Sequence, residues 1–232
     1  GDWHSLRCLM KTSLALSLFL CGFFVACGPV RAQEYGARAM PRPKAGAVYK
    51  TREDVLKLVP EHLRKESVML VAIRYHFARE EGYGRNRFNS AFIVLRGDEV
   101  HLFPGNTLPS SYGFNKKVGK YYPTLMPGCY AVRSATYVSP VTGLSKPAWR
   151  QASVMDVVRD NQVVERQKWL GIHIHAAGAD ESPPGKDGTA ARSKPTSTGS
   201  WGCGTLRPAH FQRLYALVKP GTVVPYVVVE CE

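Results

Sequence analysis

The sequence predicts an α+β domain that is mainly β. Short β-prone runs recur between residues 68 and 230, and two pairs of them fold back across two-residue turn signals. Only two segments carry helical spacing of their apolar residues. Hydrophobic residues make up 44% of the 232-residue chain and charged ones 21%, which excludes a mostly disordered or fibrous protein. No repeat with a period of roughly 20–50 residues is visible, so solenoids and propellers are excluded too.

The elements follow in order. Residues 33–50 are rich in Pro, Ala, Gly and basic side chains and read as a flexible linker. Thr51 with Asp54 marks a helix start; Val55, Leu56, Leu58 and Val59 form its apolar face, and Pro60 ends or kinks it. Val68–Ile73 is a short apolar run, a buried strand, and residues 82–90 form a loop. Ala91–Arg96 and Glu99–Phe103 flank Gly97-Asp98, a hairpin signal. A polar loop follows from Pro104 to about Lys120, and Gly128–Arg133 is a strand. Ser153–Arg159 and Gln162–Trp169 flank Asp160-Asn161, a second hairpin candidate, and Leu170–His175 is another strand. Residues 178–200 contain no Val, Ile, Leu, Met or aromatic residue and can bury no face, so they form an exposed loop. Pro208–Val218 is helical, with Pro in its first turn and Phe211, Leu214 and Val218 on one side. Pro220-Gly221 stops it. Thr222–Glu230 is a last strand, which Pro225 places at an edge or a bulge. Residues 51–232 thus form one domain.

Lys11 follows Met10, an apolar run extends from Leu14 to Ala26, and Val30-Arg31-Ala32 puts small residues at the positions a signal peptidase reads. Residues 1–32 are therefore read as upstream residues and a signal peptide, with Met10 as initiator and Gln33 as the mature start. A lipoprotein anchored at Cys27 is the alternative, from Phe24-Val25-Ala26-Cys27. The formal charge of +13 suits an anionic partner. For an exported protein that partner is an anionic envelope polymer rather than nucleic acid.

Cys203 lies in Ser200-Trp201-Gly202-Cys203-Gly204. Two glycines permit a tight turn that exposes the sulfur and presents backbone N–H groups able to stabilise an oxyanion. Ile172-His173-Ile174-His175 alternates, so on a strand both imidazoles share one face. A thiol needs a base or cation beside it to ionise at neutral pH, and histidine is its usual partner. The same residues could be buried and inert. His-x-His with Cys203 could also hold zinc, although no further ligand falls at the usual spacing.

These residues resemble the L,D-transpeptidase catalytic domain of bacterial cell-wall enzymes. The family signature, a His, a variable loop, then Ser/Thr-His-Gly-Cys, is matched by His175-Ala176-Ala177-Gly178 and Ser200-Trp201-Gly202-Cys203. Pro123–Val132 is similar to the family's Thr-Pro-x-Gly-x-Phe strand entry, Phe92–Phe103 to its opening hairpin, and Lys219–Val224 to its ending. The region 66–170, with Trp149-Arg150-Gln151 and Val158-Arg159-Asp160, resembles a branch found in phage and envelope proteins. Three features depart from the pattern: 27 residues separate His175 from Cys203, Trp201 replaces the family's His, and Gly204-Thr205 stand where Arg or Asn is usual.

The resemblance implies a sandwich-like, mainly β catalytic fold with two or three helices over residues 51–232. It implies no cofactor or metal, a monomer, and peptidoglycan stem peptides as substrates. Cys203 would be the nucleophile, His175 its base, and Gly202 part of the oxyanion site; His173, Ser200, Trp201 and Arg207 would bind substrate. A thioester would form and D-Ala leave; an amine acceptor then gives a cross-link, and water gives carboxypeptidase activity. The alternative is an inactive wall-binding or adaptor module with the same fold. A sortase lacks support because its Thr-Leu-x-Thr pattern is absent, and papain-like hydrolases place Cys before His. Three cysteines remain after Ala32. A Cys129–Cys231 disulfide would spare Cys203; otherwise both are reduced, buried thiols.

Overall fold

The computed structural model describes residues 35–77, 88–108, 114–115, 119–138, 143, 145–160, 162–177 and 202–232. The strands are β1 (Gly36–Ala37), β2 (Val68–Arg74), β3 (Ser90–Arg96), β4 (Glu99–Asn106), β5 (Phe114–Asn115), β6 (Lys120–Tyr121) and β7 (Pro123–Leu125). They continue with β8 (Gly128–Val138), β9 (Ser145–Gln151), β10 (Met155–Arg159), β11 (Val163–Lys168), β12 (His173–Ala176), β13 (Gly204–Leu206) and β14 (Val223–Glu230). Two α-helices, α1 (Arg52–Leu56) and α2 (Pro208–Ala216), and a 3₁₀ turn at Glu61–Leu63 complete the described elements.

The main sheet runs β1-β8-β14-β2-β3-β4-β13-β12-β9, and β9 pairs back onto β8, so the sheet closes on itself. The mainly β, sandwich-like α+β class is observed. Alternation along the strands builds two cores. Inside the closed sheet, Leu70, Phe92, Tyr130, Trp149, Ile174, Leu206 and Tyr226 pack with Phe211, Leu214 and Val218 from the α2 segment. On the outside, Met69, Val71, Ile73, Ile93, Leu95, Val227 and Val229 are covered by Val55, Leu58, Val59 and Leu63. A strand buried on both faces reads as a continuous apolar run, which is why Val68–Ile73 and Val227–Val229 show no polar alternation.

That outer apolar face also explains a departure. The sequence of residues 33–50 reads as a linker, but over its described part the segment is packed. Tyr35, Met40, Ala45 and Tyr49 lie against the outer core, and Gly36–Ala37 pairs antiparallel with Gly128–Cys129. The expected edge position of Pro225 is also corrected, because β14 lies between β8 and β2. Pro225 faces Ala131, whose N–H donates to Ser153 Oγ at 2.9 Å and whose carbonyl accepts from Ala152. The pair is therefore not one that exchanges backbone hydrogen bonds. On its other side the parallel ladder with β2 begins at Tyr226↔Leu70, so the missing N–H of proline falls where no bond is needed.

Local signals account for the rest. Thr51 Oγ1 accepts from Asp54 N, and Asp54 Oδ2 accepts from Thr51 N, both at 3.3 Å, a capping box. The α-helix ends at Leu56, and Pro60 instead opens the 3₁₀ turn. Gly97, at φ +56, turns the β3–β4 hairpin, and Asp160 at φ +51 enters the β10–β11 turn. The expected strand at Leu170–His175 begins only at His173. The loop expected at 178–200 lies outside the described residues, as do residues 1–32, where a signal peptide is expected. Among the described residues no helix is long and apolar enough to cross a membrane.

Asp156 ties the N-terminal segment to the small sheet β11-β10-β7. Its buried carboxylate accepts from Ala37 N at 2.6 Å, Gln167 N at 2.7 Å and the Arg166 guanidinium at 3.2 Å. Burial pushes its pKa up, but these bonds and the Arg166 charge outweigh burial and hold it below the usual value. Its folded pKa thus lies below its unfolded one, so its contribution is present above about pH 4 and fades as pH falls through the lower value. In urea titrations between about pH 2 and 6, Asp156→Asn should be less stable than wild type at the upper end and nearly equal at the lower end. A constant difference across that range would mean that the carboxylate charge contributes nothing.

Candidate active site

His173 and His175 lie on β12, which pairs in parallel with β13 through Ile174↔Gly204 and His175↔Thr205. Continuing that register one residue back sets Cys203 opposite His173. The His173 N–H donates to Cys203 Sγ at 3.3 Å, which fixes the sulfur against β12. Strand spacing and rise then put the Cα atoms of His175 and Cys203 about 8 Å apart. Parallel pairing also explains the wide sequence spacing: the chain leaving β12 must return to the opposite end before β13, which takes a connection of about a dozen residues or more.

His175 is buried at 6% exposure, and its Nδ1 lies 2.7 Å from the carbonyl of Ala176. A carbonyl only accepts, so Nδ1 carries the hydrogen in this bond and the lone pair is left on Nε2. His173 is different. Burial, with the positive charges of His175 and Arg150, pushes its pKa down to about 4, so it is neutral at ordinary pH. Its Nδ1 is buried without a hydrogen-bond partner among the described residues. Tyr137, on β8, sets its ring 5.2 Å from that of His173 and 5.6 Å from that of His175.

The glycines around Cys203 are dictated by packing. Gly202 has φ +112, and a Cβ there would lie 2.4 Å from the carbonyl oxygen of Pro123. Gly204 faces the interior, where a Cβ would meet Phe92 at 2.9 Å. The nucleophile candidate thus sits on backbone clamped between β7 and the core. Arg74, at the end of β2, is 4% exposed and donates to Thr107 Oγ1, the Leu125 carbonyl and Glu230. Burial pushes the Tyr226 hydroxyl up in pKa; Arg74 opposes that and the negative form of Cys203 adds to it.

The sequence singles out Gln151 by resemblance only, without a role. Its Oε1 accepts from the N–H groups of Leu170, Gly171 and Ile172, and its Nε2 donates to the carbonyls of Ser153 and Lys168. It therefore shapes the segment that delivers His173 and His175. Tyr137 gives no signal in sequence, because its ring meets the histidines only through the β8–β9 closure. Arg207 does not join this group. It is exposed at the opposite end of β13, caps α2, and stacks its guanidinium 5.5 Å from the Phe88 ring. Ser200 and Trp201 lie outside the described residues.

All three described cysteines are reduced, so the Cys129–Cys231 disulfide is absent. Burial pushes both those thiols up to about 11, whereas Cys203 is only half-buried. Among the described residues no three His, Cys, Asp or Glu side chains are grouped for a metal ion. A cleft of about 530 Å³ lies elsewhere, between residues 37–42, Met126-Pro127, Arg166 and Glu230-Cys231. It contains neither Cys203 nor His175.

No protein-family model matches the chain, and no curated protein matches it. Several solved structures show a likeness, among them the following three. The Ldtfm–avibactam carbamoyl enzyme shares 13% identity over 73% of this chain and 51% of that one, with a TM-score of 0.35. Mycobacterium tuberculosis L,D-transpeptidase 1 shares 17% over 70% of this chain and 62% of its own, with a TM-score of 0.30. An L,D-transpeptidase from Mycobacterium smegmatis shares 17% over 70% and 58%, with a TM-score of 0.31. The chain therefore spans between half and two thirds of the chains it matches.

Proposed function

We propose that the protein is an exported cell-wall enzyme that acts on peptidoglycan stem peptides through a cysteine thioester, as an L,D-transpeptidase or L,D-carboxypeptidase. The observation that carries this reading is the pairing of the two strands. It supports the reading because Cys203, whose sulfur accepts from the His173 N–H, directly precedes the strand paired with β12, and β12 also carries the buried His175 with its Nδ1–H on the Ala176 carbonyl. The motif resemblance over His175–Gly178 and Ser200–Cys203 supplies the reaction class.

In this mechanism His175 Nε2 takes the thiol proton and the thiolate attacks the carbonyl of an L,D-peptide bond. The His173 backbone N–H already donates to the sulfur and favours its charged form. Backbone N–H groups in the Gly202–Cys203 turn stabilise the tetrahedral oxyanion. The protonated imidazole returns the proton to the leaving D-Ala amine, and the thioester passes to an amine or to water. His173, neutral and wedged against Tyr137, is a positioning residue. Ser200 and Trp201 would line the donor groove, and Arg207 would meet a more distant part of the substrate.

The test is to incubate residues 33–232 with disaccharide-tetrapeptide and follow the products by mass spectrometry. Cross-linked dimer identifies a transpeptidase and disaccharide-tripeptide a carboxypeptidase. Unchanged substrate with retained binding favours the inactive wall-binding module and overturns the enzymatic reading.

A further inference from the structure

The register of three adjacent strands aligns charges beside the nucleophile. Arg133 on β8 is directly opposite Arg150 on β9, and Arg150 is directly opposite His173 on β12. Directly paired residues share a face, so Arg133, Arg150 and His173 form one row on the outer side of the sheet. Cys203, just before β13, lies across β12 from this row, with its sulfur on the His173 N–H. Two strand spacings separate the Cα positions of Arg150 and Cys203, roughly 10 Å, a gap that an extended guanidinium side chain and a small ligand can bridge.

Like charges directly opposite each other on a sheet are unfavourable. Both arginines are exposed, and none of the ion pairs or side-chain hydrogen bonds of the described residues engages either guanidinium. The row contains no carboxylate. Its positive charge reaches His173, whose pKa it helps to push down. Two guanidinium forks with a neutral imidazole at one end match an oxyanion, and a planar carboxylate most closely.

The geometry points to a carboxylate subsite formed by Arg133 and Arg150, which holds the C-terminal carboxylate of the donor peptide next to the bond that Cys203 attacks. The assignment of that carboxylate to a stem peptide rests on the function proposed above; the anion site itself does not. The D-residue released in that reaction carries its carboxylate within a few bonds of the scissile carbonyl, and so falls within this row. The arginines act as substrate-positioning groups, and the leaving residue departs with the carboxylate they hold.

Two measurements separate the site from the reaction. The first compares alkylation of Cys203 by iodoacetate, an anion, and iodoacetamide, its neutral counterpart, with the modified cysteine identified by peptide mapping. The ratio of the two rates should fall roughly three- to tenfold in the Arg133→Gln/Arg150→Gln double variant and shrink in wild type as salt rises. A far-ultraviolet spectrum and melting curve check that the variant is folded, and the charge-retaining double variant Arg133→Lys/Arg150→Lys should keep most of the ratio. An unchanged ratio in the glutamine variant overturns the subsite. The second compares tetrapeptide donors with a free or an amidated C-terminus. Amidation should raise KM in wild type by a similar factor and change little in the double glutamine variant. A reduced ratio without any turnover retains the anion site and overturns the proposed reaction. Turnover indifferent to both the amide and the arginines overturns the subsite and retains the reaction.

Discussion

Cys203→Ser should lose wall-peptide turnover by about a thousandfold or more while keeping the melting temperature close to wild type. A hydroxyl in place of the sulfur fills nearly the same volume, and Cys203 is only half-buried. His175→Ala should cost roughly 10²–10⁴-fold, because it removes the base and leaves the thiol in position. The same substitution should slow alkylation of Cys203 near pH 6.5. In wild type Cys203 should react first, since burial raises the thiols of Cys129 and Cys231 to about 11. His173→Ala separates the two imidazoles. His173 is neutral at the working pH and gives the sulfur its backbone N–H, which alanine retains. Its loss should therefore reduce turnover far less than that of His175. Equal losses for the two would mean that the base has been misassigned.

Gly202→Ala should be the most disruptive single-atom addition near the site. The residue sits at φ +112, and the new Cβ would come within 2.4 Å of the Pro123 carbonyl oxygen and 3.0 Å of its ring. Backbone strain and a backbone collision act together, and neither can be relieved by turning a side chain. A loss of about 2–4 kcal/mol in urea denaturation is expected, with turnover falling as Cys203 shifts. Gly221 is the internal control. It has φ +85 but nothing within 4 Å of its missing Cβ, so Gly221→Ala should show the conformational part alone, about 1 kcal/mol. Equal costs at the two positions would mean that β7 gives way and that the clamp on the nucleophile turn is soft.

What can be read from the sequence is what neighbouring residues determine. Thr51 and Asp54 close their own capping box, and Gly97-Asp98 turns a hairpin whatever surrounds it. The His173/His175 alternation places both rings on one face by the period of a strand alone. The features that escape such a reading depend on partners far along the chain. Pro225 fits an interior strand only because Ala131 directs its backbone toward Ser153 and Ala152. The 35–50 segment packs because β2, β3 and β14 present an apolar outer face that composition cannot reveal. Gly202 reads in sequence as a flexible turn residue, whereas Pro123 makes it the residue that fits. Gln151, with four of its five side-chain bonds to the segment before His173, and Tyr137, over both imidazoles, belong to the site through strand closure. Arg207 follows Cys203 closely enough in sequence to suggest a shared site, yet the length of β13 carries it to the other end of the strand.

Everything in the proposed mechanism turns on acylation of Cys203 by the donor peptide. The direct measurement is intact-mass analysis of residues 33–232 after brief mixing with disaccharide-tetrapeptide in acid-quenched, acceptor-poor solution, followed by peptide mapping. The thioester route predicts an added mass equal to the donor less its terminal D-Ala, located on Cys203, released by hydroxylamine, and absent from Cys203→Ser. Turnover that proceeds without any such adduct, and at an undiminished rate in Cys203→Ser, would contradict it.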